Sequence, residues 1–153
     1  NRLIVEHSAP VIQRLLSNDL LSTFPDCASL IADRISAAPA WQVALPVLSA
    51  LAAGGSLEDG RALASAWYPM YLASEILDNV EDREFTPDSL ISSPEVATNL
   101  ATSLIFLSFH TLTSIQGPGG VSRAARIFSR SGFDATYGQH RDLAKTPSPV
   151  EAL

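Results

Sequence analysis

Four carboxylates crowd the short apolar segment "YPMYLASEILDNVEDRE" (residues 68–84) ahead of its first basic residue, Arg83: Glu75, Asp78, Glu81 and Asp82, with Glu84 following. On a helix turning by about 100° per residue, Glu75, Asp78 and Asp82 fall within about 60° of one another, with Asn79 alongside. The same stripe runs back through Tyr71 to Trp67 and Tyr68, while Ile76, Leu77 and Val80 lie towards a core. Carboxylates that close repel one another, and a helix C-terminus disfavours negative charge. A hard divalent cation such as Mg²⁺ would relieve both, because it takes a few carboxylate oxygens together with water and phosphate oxygens. A solvated helix end with Glu81 and Glu84 exposed, and an aromatic stripe that is simply core, fit the same residues.

The elements that must position these groups read as helices throughout, since strict alternation of β-branched residues is missing and Ala, Leu, Ser and Ile dominate. A first helix is expected from about Pro10 to Ser22 and a second over roughly Asp26–Ala37. A third enters near Pro39, bends at Pro46 and stops at Gly54-Gly55. The carboxylate helix starts with Ser56 as N-cap and Asp59 three residues on, with Pro69 as a bend or break. Ser93 and Pro94 open a helix without Asp, Glu, Lys or Arg from Val96 to Ser122, which ends at Gly117-Pro118-Gly119-Gly120. A last helix covers roughly Val121–Asp142. The fold class is all-α, with about six helices in one domain over 1–153.

Composition bounds the function. The chain is 46% hydrophobic and 17% charged, below the roughly 25% usual for a soluble domain. A formal charge of −6 argues against a nucleic-acid partner. The lone Cys27 cannot form an internal disulfide, which fits a reducing, cytoplasmic setting. "VATNLATSLIFLSFHTLTSI" is long enough for a membrane span, but Asn99, His110 and its many Ser and Thr suit a central helix wrapped by others. No membrane span is expected. His110 reads as a buried histidine with a local partner, and Arg123, Arg126 and Arg130 as a solvated face pairing with nearby acids.

A second motif, "YGQHRDL" (137–143), follows the first by some sixty residues. Together they resemble the isoprenyl diphosphate synthase (polyprenyl synthetase) family. That family carries Asp-Asp-x-x-Asp on one helix of an antiparallel bundle and Gly-Gln-x-x-Asp-Leu on a later helix facing it. Here the first motif reads Asp78-Asn79-Val80-Glu81-Asp82 and the second Gly138-Gln139-His140-Arg141-Asp142-Leu143, with "SPEVATNLATSLIFLS" resembling the central helix between them. The resemblance implies Mg²⁺ held by Asp78 and Asp82, catalytic roles for Asp78, Asp82 and Gln139, and Asp142 lining the opposite wall. An allylic diphosphate would ionise there, and the resulting cation would be attacked by isopentenyl diphosphate or another acceptor. Ser74 and Ala73, four and five residues before the first aspartate, correspond to the floor that sets chain length. With both small, Met70 and Trp67 become the next floor.

The departures are specific. Asn79 stands where the family usually has Asp. The family's basic grip on isopentenyl diphosphate is replaced by "SAAPAWQVALP", the paired arginines after the first motif reduce to Arg83, and no second aspartate-rich motif follows. The pattern is closer to the divergent branch that includes bacterial quorum-sensing prenyltransferases. Three readings follow: an isoprenoid synthase or prenyltransferase, or its N-terminal half; a non-catalytic binding or regulatory subunit of that fold acting through dimerisation; and an unrelated bundle with an acidic patch. The closing "TPSPVEAL" carries a helix-entry signal at Ser148, Pro149 and Glu151. It leads to the expectation that the chain is a piece of something longer, its apolar 96–122 helix covered by a second copy, a companion chain or a C-terminal half.

Overall fold

A computed structural model of the chain describes residues 2–37, 40–115 and 119–145. The described residues form seven helices and no strand: α1 (Arg2–Leu16), α2 (Asp19–Thr23), α3 (Pro25–Ala37), α4 (Ala40–Ala52), α5 (Leu57–Glu81), α6 (Pro94–Leu112) and α7 (Gly120–Lys145). The helix entry signals at Ser148 and at Pro39, and Gly117-Pro118, lie outside the described residues.

The expected first helix is divided. Pro10 lies inside α1 rather than at its start, and the chain restarts at Asn18, whose side chain accepts the Leu20 N–H at 3.0 Å. An N-cap of this kind satisfies a donor that a new helix would otherwise leave bare, so a turn there is cheap. Ser56 caps α5 as its type requires: its hydroxyl accepts the Asp59 N–H at 3.0 Å and donates to the Asp59 carboxylate at 2.6 Å. Ser93 likewise accepts the Val96 N–H, with Pro94 opening α6.

Helix α5 continues through Pro69, which removes one backbone donor and leaves the Ser65 carbonyl without its helical partner. One residue on, the Ser108 hydroxyl of α6 donates to the Ala66 carbonyl at 2.6 Å in a buried contact. Ser108 and Ala66 lie almost equally far along the chain from the 82–93 connection, so α5 and α6 are an antiparallel pair. Helix α4 packs antiparallel against the start of α5, where Gly60 lets the backbones close: a Cβ there would come within 3.1 Å of Val47 Cα.

The main core joins α1, α3, α4, α5 and α6 through Val11, Leu15, Leu30, Ile31, Val47, Tyr68, Leu72 and Leu104. A smaller cluster of Ala66, Leu112 and Ala124, with Phe109 and Phe128 against it, anchors only the N-terminal part of α7. Beyond it, Phe133 is 72% and Tyr137 58% exposed. Beyond Glu95, α6 carries no Asp, Glu, Lys or Arg, yet it is not wrapped on every side. Leu100, Leu104 and Leu107 are buried, but Phe106 on the opposite face is 69% exposed. No single helix among the described residues is long and apolar enough to cross a membrane.

Candidate functional site

The carboxylates sit at the C-terminal end of α5, and the way that end closes sets their arrangement. Asp82 is the C-cap, Arg83 takes the left-handed conformation (φ 62°), and the Glu84 N–H returns to the Asn79 carbonyl at 2.9 Å while the Arg83 N–H reaches Val80 at 3.3 Å. This is a Schellman closure. It leaves Asp78 and Asp82, one turn apart, both exposed.

Helix α7 brings the second motif to the same place. The Gln139 side-chain amide donates to Asp82 Oδ1 at 3.4 Å, joining residues 57 positions apart in the chain. Gln139 is half-buried, whereas Asp142, nearly one turn further on, is exposed. Among the described residues, no three of His, Cys, Asp and Glu come together to hold a metal ion. The two carboxylates of Asp78 and Asp82 are nonetheless hard oxygen donors open to solvent, a set that suits Mg²⁺ completed by water and phosphate oxygens.

The stripe behind the acids is partly core and partly surface. Ala73 is fully buried in the main core, while Ser74 is exposed and its hydroxyl donates to the Tyr71 carbonyl at 2.7 Å. The two therefore do not share one surface. Met70 and Trp67 are half-buried. Trp67 stacks on Tyr71 with centroids 5.0 Å apart. The Tyr71 hydroxyl donates to Glu75 at 2.5 Å and accepts from the Gln42 amide of α4 at 3.0 Å. Glu75 is thereby tied to its own helix rather than to the Asp78–Asp82 pair. The hydrogen bond to Glu75, then burial and the Glu75 charge, push the Tyr71 hydroxyl up to about 12. Burial first, then the charge of Glu75, raises Tyr68 to about 12 as well.

On the adjoining side of α5 lies a cleft of about 520 Å³ between α3, α5 and the 82–93 connection. Arg34 and Asp88 pair across it at 2.5 Å. The backbone N–H of Ile91, then that of Leu90 and the Arg34 guanidinium, outweigh burial and hold the Asp88 carboxyl below its ordinary range.

The basic and histidine residues fall elsewhere. Arg130 pairs with Asp134 on its own helix at 2.7 Å, and Arg123 and Arg126 are exposed. His110 corrects its expectation: its side chain is 43% exposed, with Nε2 3.5 Å from Asp19, because it lies on the solvent side of α6. Gln42, Arg34 and Asp88 were not legible as partners of this helix. Gln42 meets Tyr71 across 29 residues and Arg34 meets Asp88 across 54, and no motif links them. No family model matches the chain, and no similar curated protein or solved structure was found.

Proposed function

We propose that this chain binds an allylic isoprenoid diphosphate through Mg²⁺ at Asp78 and Asp82, as an isoprenoid diphosphate synthase or prenyltransferase of the polyprenyl synthetase type and its antiparallel bundle. The observation that supports this reading is the approach of Gln139 to Asp82, which brings together the two motifs that carry the resemblance. Asp78 and Asp82 supply carboxylate oxygens one turn apart, and the Gln139 amide orients the Asp82 carboxylate. When bound, Mg²⁺ supplies positive charge to the departing diphosphate. Trp67 and Met70 offer apolar surface to a hydrocarbon tail, and the small Ser74 leaves room beside the aspartates.

The test is calorimetric binding of geranyl diphosphate with and without Mg²⁺. Asp78→Ala is expected to weaken Mg²⁺-dependent binding at least about tenfold, whereas Glu84→Ala changes it by less than about twofold. Equal losses from the two substitutions would reduce the site to diffuse charge. If turnover is present, products longer than farnesyl are expected, because Ser74, the exposed position four before Asp78, is small.

A second reading, a non-catalytic subunit of the same fold acting through dimerisation, is favoured by the exposed Phe106 on α6. It predicts diphosphate binding without turnover, and a dimer in sedimentation that Phe106→Asp dissociates.

A further inference from the structure

We infer that the outward face of α7 is a docking surface for an anionic lipid membrane, on which the helix lies flat without crossing it. The inference does not depend on the diphosphate reading, because this face points away from the Gln139–Asp82 contact.

Helix α7 has two unlike sides. Ala124 is buried and Phe128, Gly132 and Gln139 are half-buried, and at about 100° per residue they share one side, the one towards the bundle. Arg123, Arg126, Arg130, Phe133, Tyr137 and Arg141 fall within about 80° of one another on the opposite side, and all six are exposed. No acid lies within that stripe. Asp134 flanks it and pairs with Arg130 at 2.7 Å, and the Arg141 guanidinium lies 6.0 Å from the centre of the Tyr137 ring. Solvation accounts for four arginines but not for two aromatic rings one turn apart among them, which hold apolar area in water. The same half of α7 contains Gly132 and Gly138, so it gains little from helix propensity, and a contact along its outer face would hold it.

The chemistry of the stripe selects its partner. Four arginines call for a negatively charged surface, and aromatic rings settle at the boundary between lipid headgroups and acyl chains. Arginine stems cover apolar surface while their guanidinium groups reach phosphate. The shape agrees. From Arg123 to Arg141 the stripe runs about 27 Å along the back of a helix. That back is convex, whereas a small molecule or a peptide needs a cavity, a groove or a sheet edge. A flat lipid surface meets it along its whole length. The acids of α5 do not forbid the approach. Asp82 and its neighbours lie on the inner side of α7, where Gln139 touches Asp82. They are about one helix diameter, roughly 10 Å, further from the lipid, and the Debye length at physiological salt is about 8 Å.

The experiment is co-sedimentation of the full chain with vesicles of phosphatidylcholine alone and of equal parts phosphatidylcholine and phosphatidylserine. Binding to the phosphatidylserine vesicles is expected to be at least about tenfold tighter and to weaken with added salt. Phe133→Ala should weaken it about tenfold, and Arg126→Gln about fivefold. Arg83→Gly, which removes the same charge away from the stripe, should leave it unchanged, and circular dichroism should show all three variants folded like the parent. The inference is overturned if the chain does not bind the anionic vesicles, if it binds both compositions equally, if Phe133→Ala and Arg126→Gln bind like the parent, or if Arg83→Gly loses as much as Arg126→Gln. A dimer in vesicle-free sedimentation that Arg126→Gln dissociates would also overturn it, because the face would then belong to the acidic bundle of a second copy.

Discussion

Glu75 holds the Tyr71 hydroxyl in its protonated form. The neutral Tyr71 hydroxyl donates to the Glu75 carboxylate, and its titration is pushed up to about 12. Tyr68, raised to about 12 mainly by burial, behaves alike. The folded chain keeps these protons after the unfolded chain, with tyrosine near about 10, has released them. The stability they contribute is therefore complete below about pH 10 and is lost as pH rises towards about 12. A spectrophotometric titration of phenolate should show this, and Glu75→Gln should move the Tyr71 transition back towards the ordinary tyrosine value. An unchanged curve in that variant would mean that burial, not the carboxylate, sets the shift. Cys27 is 2% exposed, and burial raises its thiol to about 11. It should stay unreactive to a thiol reagent at neutral pH until the protein unfolds.

Helix α5 carries the carboxylates, the aromatic stack and one wall of the cleft, and its closure fixes where each points. Arg83 at the turn has φ 62°, a conformation that costs a side chain with a Cβ roughly 1–2 kcal/mol relative to the right-handed region. Glycine has no such penalty, though it loses more chain entropy on folding. Arg83→Gly is therefore expected to stabilise the chain by about 0.5–1 kcal/mol in urea unfolding, with diphosphate binding unaltered. A destabilised variant would show that the Arg83 side chain makes a contact outweighing the strain. At the other end Gly60 sits against Val47 and Ala50 with no room for a branched side chain. Gly60→Val should separate α4 from α5 and cost about 1–3 kcal/mol through overpacking.

The molecule divides into a packed bundle and a helix that leaves it. Leu104 is fully buried between α5 and α6 in the main core, so Leu104→Ala should cost about 2–5 kcal/mol. Phe133, 72% exposed on α7, should tolerate Ala within about 0.5 kcal/mol. Amide hydrogen exchange should follow the same division: protection in the middle of α5 and α6 should exceed that of α7 beyond Phe128. A large loss of stability in Phe133→Ala would instead reveal that a partner covers α7 in solution. The charge is divided too. Helix α7 carries five basic and two acidic residues within a chain of net charge −6, so the bundle beneath it is strongly acidic.

The sequence by itself determined the elements whose causes are local. Ser56, Ser93 and Pro94 mark the starts of α5 and α6 because a side-chain oxygen or a fixed φ satisfies the first turn within three residues. Spacing alone put Glu75, Asp78 and Asp82 on one stripe, since helical periodicity needs no partner. Only the tertiary structure decided what each stripe faces. Ala73 and Ser74 are neighbours of similar size, yet packing buries one and exposes the other. Glu75 reads as part of the acidic cluster, but it accepts from Tyr71, whose hydroxyl in turn accepts from Gln42, a contact that closes only when α4 folds back on α5. The stretch without charges from Val96 to Ser122 reads as wrapped on all sides, and whether Phe106 is covered depends on helices elsewhere in the chain. Short-range capping and periodicity are written into neighbouring residues, whereas burial and pairing are settled by which distant surfaces compete for one another when the bundle closes.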